Sequence, residues 1–186
     1  MKKPLLSFIL LLSIPLLGCS GIQVSQDYDI SMNFSDLKTY TWQTTEQEKT
    51  GDIRIDNPLL DKRIREAVEH ALIEKGYQNE SQTKPNFYVA YKMTIQKRLE
   101  TDNVSTGIGF GFGTYGRRGG VSVSTGGRVN EYDEALLVVD IINSENNELL
   151  WRGTSTSRVS QHSTPEKTTE SINRTIAKIM EQFPPE

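Results

Sequence analysis

The most regular spacing of apolar residues in the chain lies in NPLLDKRIREAVEHALIEKGY, residues 57–77. Apolar residues recur there every three or four positions, which is typical of one face of an α-helix: Leu60, Ile64, Ala67, Val68, Ala71 and Leu72. Asn57 can cap the first turn, Pro58 suits the first helical position, and Lys75 with Gly76 ends the pattern. These signals predict a helix with one buried face.

The same signals predict a second helix near the C-terminus. Thr164 can cap it, Pro165 and Glu166 suit its first turn, and Pro184-Pro185 stops it. Its apolar stripe consists of Ile172, Ile176, Ile179, Met180 and Phe183. We expect both stripes to belong to the core rather than to a partner surface, because a sheet of this size needs covering.

Other segments alternate with the period of two that is typical of β-strands. In NFYVAYKMTI, residues 86–95, every second residue from Phe87 is apolar, which predicts one buried face and one wetter face. YDEALLVVDII, residues 132–142, is apolar at both parities from Leu136 to Val139, which favours a central strand.

Two further stretches complete the predicted sheet. A turn at Ser144 to Asn147 leads into ELLWRGTSTSRVS, residues 148–160, and predicts a hairpin in which Trp151 anchors the core. DYDISMNFSDLKTYTW, residues 27–42, predicts one strand and a second short extended piece around the turn-like Phe34-Ser35-Asp36.

Taken in order, these segments predict an α+β fold. We expect an antiparallel sheet of about four strands with two helices packed on one face, in the order β-α-β-β-β-α with a glycine-rich insertion. The predicted domain covers residues 27–186, and the glycine-rich loop covers residues 104–127.

The overall composition narrows the range of partners. A chain of 186 residues with 35% apolar content suits one globular domain. Its formal net charge of -3 and isoelectric point of about 5.5 lack the basic excess that neutralises phosphates. We therefore do not expect nucleic acid as a partner.

The N-terminus has the layout of a secretory signal. Lys2 and Lys3 precede an apolar run from Leu5 to Leu17. This run is too short to span a bilayer comfortably, since about 20 apolar residues are needed. Residues 1–18 are accordingly expected to be a signal peptide.

The end of that run resembles the bacterial lipobox in Leu16-Leu17-Gly18-Cys19, which contains the single cysteine of the chain. In that motif the cysteine thiol accepts a diacylglyceryl group and the chain is cut before it. The resemblance implies that Cys19 is the lipidation site, that residues 19–26 are a lipidated tether, and that Ser20 in the next position favours the outer membrane. The alternative is a lone buried cysteine behind an ordinary signal.

Several segments together resemble the DUF4136 family of bacterial lipoproteins: DYDISMNFSDLKTYTW, NPLLDKRIREAVEHALIEKGY, PNFYVAY, ELLWRG and the closing FPP. The resemblance covers nearly the whole chain after Cys19. It implies a fold and a place in the cell envelope. The family carries no established activity or catalytic residues to transfer, so the function stays open.

Metal chemistry is poorly supported by the residue pattern. His70 and His162 are not spaced as a pair of zinc ligands, and Cys19 is assigned to lipid. Two acidic clusters could meet a calcium ion, but neither has the ligand pattern of a known calcium loop: Asp27 with Asp29, and Glu131 with Asp133 and Glu134. We expect no metal site.

Nucleophilic and cofactor chemistry are no better supported. His162 has Ser160 and Ser163 nearby in sequence, but no elbow motif such as G-x-S-x-G is present. Residues 111–116, GFGTYG, match a dinucleotide-binding pattern, but RRGGVSVSTGG follows and cannot begin the helix that would hold a phosphate. We expect no catalytic residue and no cofactor.

Nine of the fourteen glycines lie between Gly107 and Gly127. This run is compatible with a hairpin of weakly specified register, with a mobile loop, or with a surface that touches membrane, glycan or protein. In the last case the contact residues are expected to be Ile108, Phe110, Phe112, Arg117 and Arg118.

These observations lead us to expect a non-enzymatic lipoprotein that binds or scaffolds an envelope component. Its lipid on Cys19 would hold it in the outer membrane, facing the periplasm, with an envelope protein or a glycan as partner. The alternative is a small-ligand or glycan binding module that uses aromatics such as Tyr88 and Tyr115. A hydrolase ranks third, because no acid–base pair or nucleophile can be named. A flat apolar patch would favour the first function and a concave polar pocket the second.

Overall fold

The computed structural model describes residues 21–44, 49–101, 129–160 and 162–185. Six strands form one sheet in the spatial order β1-β6-β5-β4-β2-β3: β1 Gln23–Tyr28, β2 Thr39–Trp42, β3 Gln78–Asn79, β4 Phe87–Thr101, β5 Val129–Asn143 and β6 Leu149–Arg158. Helix α1 spans Pro58–Glu74, helix α2 spans Pro165–Met180, and a short 3-10 helix at Phe34–Asp36 separates β1 from β2.

The prediction of an antiparallel sheet of about four strands is wrong, because the sheet has six strands and contains both parallel and antiparallel pairs. Strand β2 runs parallel to both β3 and β4, since α1 crosses over after β2 and returns the chain in the same direction. The other pairs are antiparallel. The expected order β-α-β-β-β-α omitted one of the two strands before α1 and the polar, two-residue β3, which has no hydrophobic period to reveal it.

Strand β1 begins at Gln23. Residues 23–26 were expected in the lipidated tether, yet they pair in register with β6, from Gln23 opposite Thr156 to Gln26 opposite Gly153. The sheet therefore starts inside that segment, four residues after Cys19.

Both helices begin at the predicted capping residues, and α1 ends just before Lys75 and Gly76. Helix α2 ends at Met180, so Phe183 of the expected stripe lies after the helix. The Asn57 side chain accepts a hydrogen bond from the Leu59 backbone at 2.9 Å, and the Thr164 hydroxyl accepts one from the Lys167 backbone at 3.4 Å. Gly76, just after α1, has a φ of 88°, a left-handed conformation that glycine adopts without a steric penalty.

The two helices cover the same face of the sheet, and the core lies between the helices and that face. Trp151 on β6 and Phe183 just after α2 are both 0% exposed, and their ring centres are 5.1 Å apart. The predicted place of Trp151 in the core is confirmed. Gly153 lets α2 approach β6 closely, because a β-carbon at that position would collide with Trp151 and with Ile179 of α2.

Strand β5 occupies the interior of the sheet between β4 and β6, as its apolar residues at both parities predicted. It pairs with β4 over 15 residues, from Asn143 opposite Phe87 to Val129 opposite Thr101. Strand β6 ends at Arg158, which pairs with Glu134. Beyond that point β4 and β5 continue as a two-stranded ribbon toward residues 102–128.

Candidate functional site

The two faces of the sheet have different neighbours. On β4 the residues Phe87, Val89 and Tyr91 point toward the helices and are buried. The residues between them point to the opposite face, because side chains alternate along a strand. We call this second side the open face, since no described helix or strand covers it; its central residues are Tyr88, Ala90, Lys92, Thr94, Leu136, Val138, Asp140, Ile142, Arg152, Thr154 and Thr156.

One row of charged residues crosses the open face. Asp27, Arg152 and Asp140 are successive neighbours on β1, β6 and β5. Arg152 binds Asp140 with two parallel hydrogen bonds, at 2.7 Å from Nε to Oδ1 and 2.8 Å from Nη2 to Oδ2. The hydrogen bond with Asp140, and to a smaller extent the charges of Asp140 and Asp27, raise the pKa of Arg152. Cross-strand pairing therefore satisfies these charges within the sheet.

The next two rows are apolar at their centre and carry hydroxyl groups beside it. Val138 lies between Thr154 and Lys92, and the neighbouring row places Leu136 between Thr156 and Thr94. Val138 and Leu136 are half-buried, although they lie on the face away from the helices. The open face therefore has an apolar centre and a polar border.

Lys92 stands out among the charges of this patch. Its side chain is exposed, and it forms no ion pair with any described residue, whereas Arg98 at the ribbon end of β4 binds Glu134 at 2.9 Å. At the same end, Arg158 lies 4.0 Å from the centre of the Tyr132 ring. A carboxylate on a bound molecule could pair with Lys92 without displacing an existing partner.

A groove of about 730 Å³ lies on the other side of the molecule, between α1 and α2. Its lining combines the apolar residues Ala67, Ala71, Ala177 and Met180 with charged and polar residues of both helices. Three of the lining residues take part in contacts along α1: Glu66 with Lys62 at 3.7 Å, and His70 with Glu74 at 3.5 Å.

A polar cluster ties α1 to β2 and β4. Arg65 Nε lies 2.9 Å from Asp61 Oδ1, and Arg65 Cζ lies 4.5 Å from the centre of the Trp42 ring. Tyr91 donates to the same Asp61 oxygen at 2.6 Å, and Trp42 Nε1 donates to Glu69 at 2.7 Å. Burial, followed by the hydrogen bond to Asp61, raises the pKa of Tyr91. These groups satisfy one another, so the arrangement is suited to fixing the helix on the sheet.

The acidic residues considered for calcium are engaged with other groups. Asp29 accepts hydrogen bonds from Ser31 at 2.7 and 2.8 Å. The second cluster is held by ion pairs of Glu131 with Lys97 at 2.6 Å, Asp133 with Arg54 at 2.8 Å and Glu134 with Arg98 at 2.9 Å. The described residues contain no group of three or more His, Cys, Asp or Glu that could hold a metal ion.

Most residues proposed from the sequence lie outside the part of the chain that the structure describes. These are the lipidation site Cys19 and the contact residues Ile108, Phe110, Phe112, Arg117 and Arg118. Of the two aromatics named for ligand binding, Tyr88 lies half-buried on the open face, and Tyr115 is outside the described residues. Neither described helix is long and apolar enough to cross a membrane.

The apolar pattern of β5 contained information about the open face as well as about the position of the strand in the sheet. Apolar residues at both parities of β5 were interpreted as a mark of a central strand, which is where β5 lies. One parity, including Leu137 and Val139, packs against the helices, while Leu136 and Val138 face the other side. A strand that is apolar on its uncovered side is a candidate for binding.

Comparison with known proteins places the chain in a family and a fold. The family model "Domain of unknown function (DUF4136)" matches residues 24–185, which confirms the family resemblance seen in the sequence. The chain matches no curated protein at a significant level.

The chain is similar to several solved structures, one of which has a TM-score above 0.5. A PDZ domain protein from Parabacteroides distasonis is 13% identical with a TM-score of 0.53, and the alignment covers 90% of this chain and 36% of that one. The chain thus spans about a third of the length of that protein, and at this identity the likeness concerns the fold alone. A PelC dodecamer from Paraburkholderia phytofirmans is 12% identical with a TM-score of 0.44, covering 86% of this chain and 94% of that one.

Proposed function

The chain belongs to the DUF4136 family, and from this premise we propose that it is a lipid-anchored protein of the bacterial outer membrane that binds a periplasmic protein through its open face. The observation that carries the proposal is the half-buried apolar centre of that face, formed by Leu136 and Val138 on strands that no described element covers. The proposed role is binding rather than catalysis.

The composition of the open face supports a protein as the bound molecule. Protein interfaces typically combine an apolar centre with a polar rim, and here hydroxyl groups of Thr94, Thr154 and Thr156 border Val138 and Leu136. Lys92 adds a positive charge without an ion-pair partner among the described residues. We therefore assign the open face a partner surface that is flat, largely apolar and equipped with a carboxylate opposite Lys92.

The lipid anchor is supported by Cys19 at the end of the lipobox-like sequence. Strand β1 begins at Gln23, and the four peptide steps from Cys19 to Gln23 span at most about 14 Å. With two or three acyl chains on Cys19, each methylene adds about 0.8 kcal/mol of membrane affinity. The β1 edge of the sheet would then lie close to the membrane surface.

In-cell photo-crosslinking tests the binding face. A photoreactive residue in place of Val138 should give a crosslink to one envelope protein in intact cells. The matched control replaces Ile73, which is 62% exposed on α1, and should not capture that protein. Lys92→Glu should weaken the Val138 crosslink and Lys92→Arg should keep it. Equal capture from Val138 and Ile73, or no effect of Lys92→Glu, would refute the open face as the binding surface.

The anchor is tested separately with Cys19→Ser. This change removes the only thiol, so the protein should lose the mass of the lipid and should no longer fractionate with the outer membrane. A Ser20→Ala variant serves as the control and should be lipidated normally. A Cys19→Ser protein that keeps the wild-type mass and membrane fraction would contradict the assignment.

Glycan binding is a second candidate, and the position of Tyr88 favours it. Its ring is half-buried on the open face next to Thr41 on β2 and Ile142 on β5, where it could stack on a sugar ring. Envelope glycan should then bind to the wild type and to Tyr88→Trp but not to Tyr88→Ala. Binding that is independent of Tyr88 would exclude this use of the face.

A further inference from the structure

The outer edge of β1 carries backbone groups without partners in the described structure. The Asp29 backbone N–H donates to Leu150 at 3.0 Å, and the pairing register continues along β1 and β6 without a shift. In an antiparallel pair every second residue bonds to the neighbouring strand. Gln23, Ser25 and Asp27 therefore bond to β6, and the N–H and C=O groups of Val24, Gln26 and Tyr28 point away from the sheet.

This edge lacks the features that usually prevent strands from pairing. Natural edge strands are often very short, or are interrupted by proline, lysine or a bulge. The opposite edge of the sheet follows this rule, because β3 has only two residues. Strand β1 has six residues, QVSQDY, with a regular register and Asp27 as its single charge.

We propose that β1 pairs antiparallel with β1 of a second copy of this chain, across a two-fold axis that passes beside Gln26. Residue numbers of the paired positions then sum to 52, so Val24 lies opposite Tyr28 of the second copy and Gln26 lies opposite Gln26. All three outward-pointing residues of each strand form hydrogen-bonded pairs in this register. The two sheets would join into one continuous sheet.

The neighbouring two-fold registers are less favourable. Centring the axis on Ser25 pairs only Val24 and Gln26 and leaves the outward groups of Tyr28 unused. Centring it on Asp27 places two aspartates directly opposite each other, which is destabilising. The register centred on Gln26 uses the most backbone groups and separates the two carboxylates.

Side chains also complement each other in this register. Ser25 lies opposite Asp27 of the second copy on the open-face side, so its hydroxyl can donate to that carboxylate. Val24, which is 37% exposed, lies opposite Tyr28 on the other side. Gln26 already accepts a hydrogen bond from Trp151 Nε1 through its Oε1 at 2.9 Å, which leaves its amide nitrogen to donate across the axis.

This inference does not rest on the proposed function, because it needs neither the anchor nor the open face. A strand pair alone buries less than the roughly 1,200 Å² of a standard interface, so we expect a dimer that dissociates on dilution. Lipidation, where it holds, would raise the local concentration of the copies and favour pairing.

Replacing Val24 by proline tests the edge. The Val24 N–H points away from β6, so Val24→Pro removes no hydrogen bond within the chain, and proline is tolerated at such an edge position. The full chain in a mild non-ionic detergent should show a concentration-dependent dimer by sedimentation equilibrium. Val24→Pro should remain monomeric with an unchanged circular dichroism spectrum, and the control Val24→Thr should dimerise like the wild type.

Disulfide formation tests the register. Positions 25 and 27 of opposing copies are a non-hydrogen-bonded pair with Cα atoms about 4.5 Å apart, which suits a disulfide. Under mild oxidation, a mixture of Ser25→Cys and Asp27→Cys chains should form a crosslinked dimer, whereas Ser25→Cys alone should give only the background that Cys19 causes in the wild type. A wild type that stays monomeric up to about 1 mM, a Val24→Pro dimer, or crosslinking of Ser25→Cys alone at the level of the mixture would overturn the proposal.

Discussion

Each central strand of the sheet has one side toward the helices and the other toward the open face. The two sides differ in how deeply their side chains are buried. On β5, Val139 is 0% exposed among the residues of the core. The adjacent Val138 is half-buried between Thr154 and Lys92. The apolar side chains of the covered side contribute to stability through close packing. The apolar side chains of the open side are accessible to a binding partner.

Polar groups also differ between the two sides. On the covered side, the Tyr40 hydroxyl and Ser155 Oγ are buried without a hydrogen-bond partner among the described residues. On the open side, Arg152 and Asp140 satisfy each other across two strands. Substitutions of neighbouring residues that face opposite sides should therefore have very different effects on stability.

The largest expected effect is that of Trp151→Ala on the covered face. Trp151 is 0% exposed, so its truncation should lower the free energy of unfolding by about 3–5 kcal/mol. Denaturant unfolding followed by far-UV circular dichroism measures this loss. The control is Arg152→Ala on the open face, which removes an ion pair at the surface and should cost less than about 1 kcal/mol. Equal losses for the two variants would contradict the division of roles between the faces.

Local signals in the sequence were sufficient to predict both helices and the strands that pair with near neighbours in the chain. Asn57 and Thr164 cap the helices as expected, because capping depends on a few consecutive residues. The hairpin of β5 and β6 follows from a turn at Ser144 to Asn147 for the same reason. These features are determined within about ten residues along the chain.

The sheet topology and the candidate site depend on distant residues and were not predictable in the same way. The parallel pairing of β2 with β4 joins Tyr40 to Phe87, and nothing in either segment specifies that partner or direction. The row of Asp27, Arg152 and Asp140 likewise combines three strands from separate parts of the chain. The apolar residues of β5 at both parities were the one feature of the sequence that indicated a second apolar surface.

Gly153→Ala should be the next most damaging change. A β-carbon at position 153 would collide with Trp151 and Ile179, both fully buried, so overpacking should cost about 1–3 kcal/mol. Thermal unfolding measures the loss. The control is Thr154→Ala at the adjacent position on the open face, where we expect less than about 0.5 kcal/mol. A Gly153→Ala protein as stable as the control would mean that α2 can move away from β6 at little cost.

Tyr40→Phe tests the unsatisfied hydroxyl on the covered face. Removing a buried hydroxyl that has no partner should leave stability at pH 7 unchanged or raise it by up to about 1 kcal/mol. Burial, with a smaller contribution from Glu69, raises the pKa of Tyr40 from 10.0 to about 12. The folded chain therefore holds this proton more tightly than the unfolded chain. The resulting stability is complete below pH 10 and is lost as the pH rises toward 12.

Unfolding measured between pH 7 and pH 12 checks this expectation. Tyr40→Phe should weaken the loss of stability at alkaline pH, although Tyr91, whose pKa is also raised, should still contribute to it. A Tyr40→Phe profile identical to that of the wild type would show that folding does not raise the pKa of Tyr40.

The smallest expected effect on stability is that of Val138→Thr, and it distinguishes the two faces most directly. Val138 and Val139 are adjacent on β5 and have the same side chain, so the substitution is chemically identical at both positions. At Val139 the new hydroxyl would be buried in the core, which should cost about 1–3 kcal/mol. At Val138 it would join the hydroxyl groups of Thr154 and Thr156 on the open face, and the free energy of unfolding should change by less than about 0.5 kcal/mol.

If the open face binds a partner through its apolar centre, Val138→Thr should nevertheless weaken crosslinking from a photoreactive residue at position 154. A chain with Val139→Thr that remains folded should retain this crosslinking. A Val138→Thr variant that loses as much stability as Val139→Thr would show that something covers the open face within the folded chain, and one that keeps full crosslinking would show that the apolar centre does not contribute to binding.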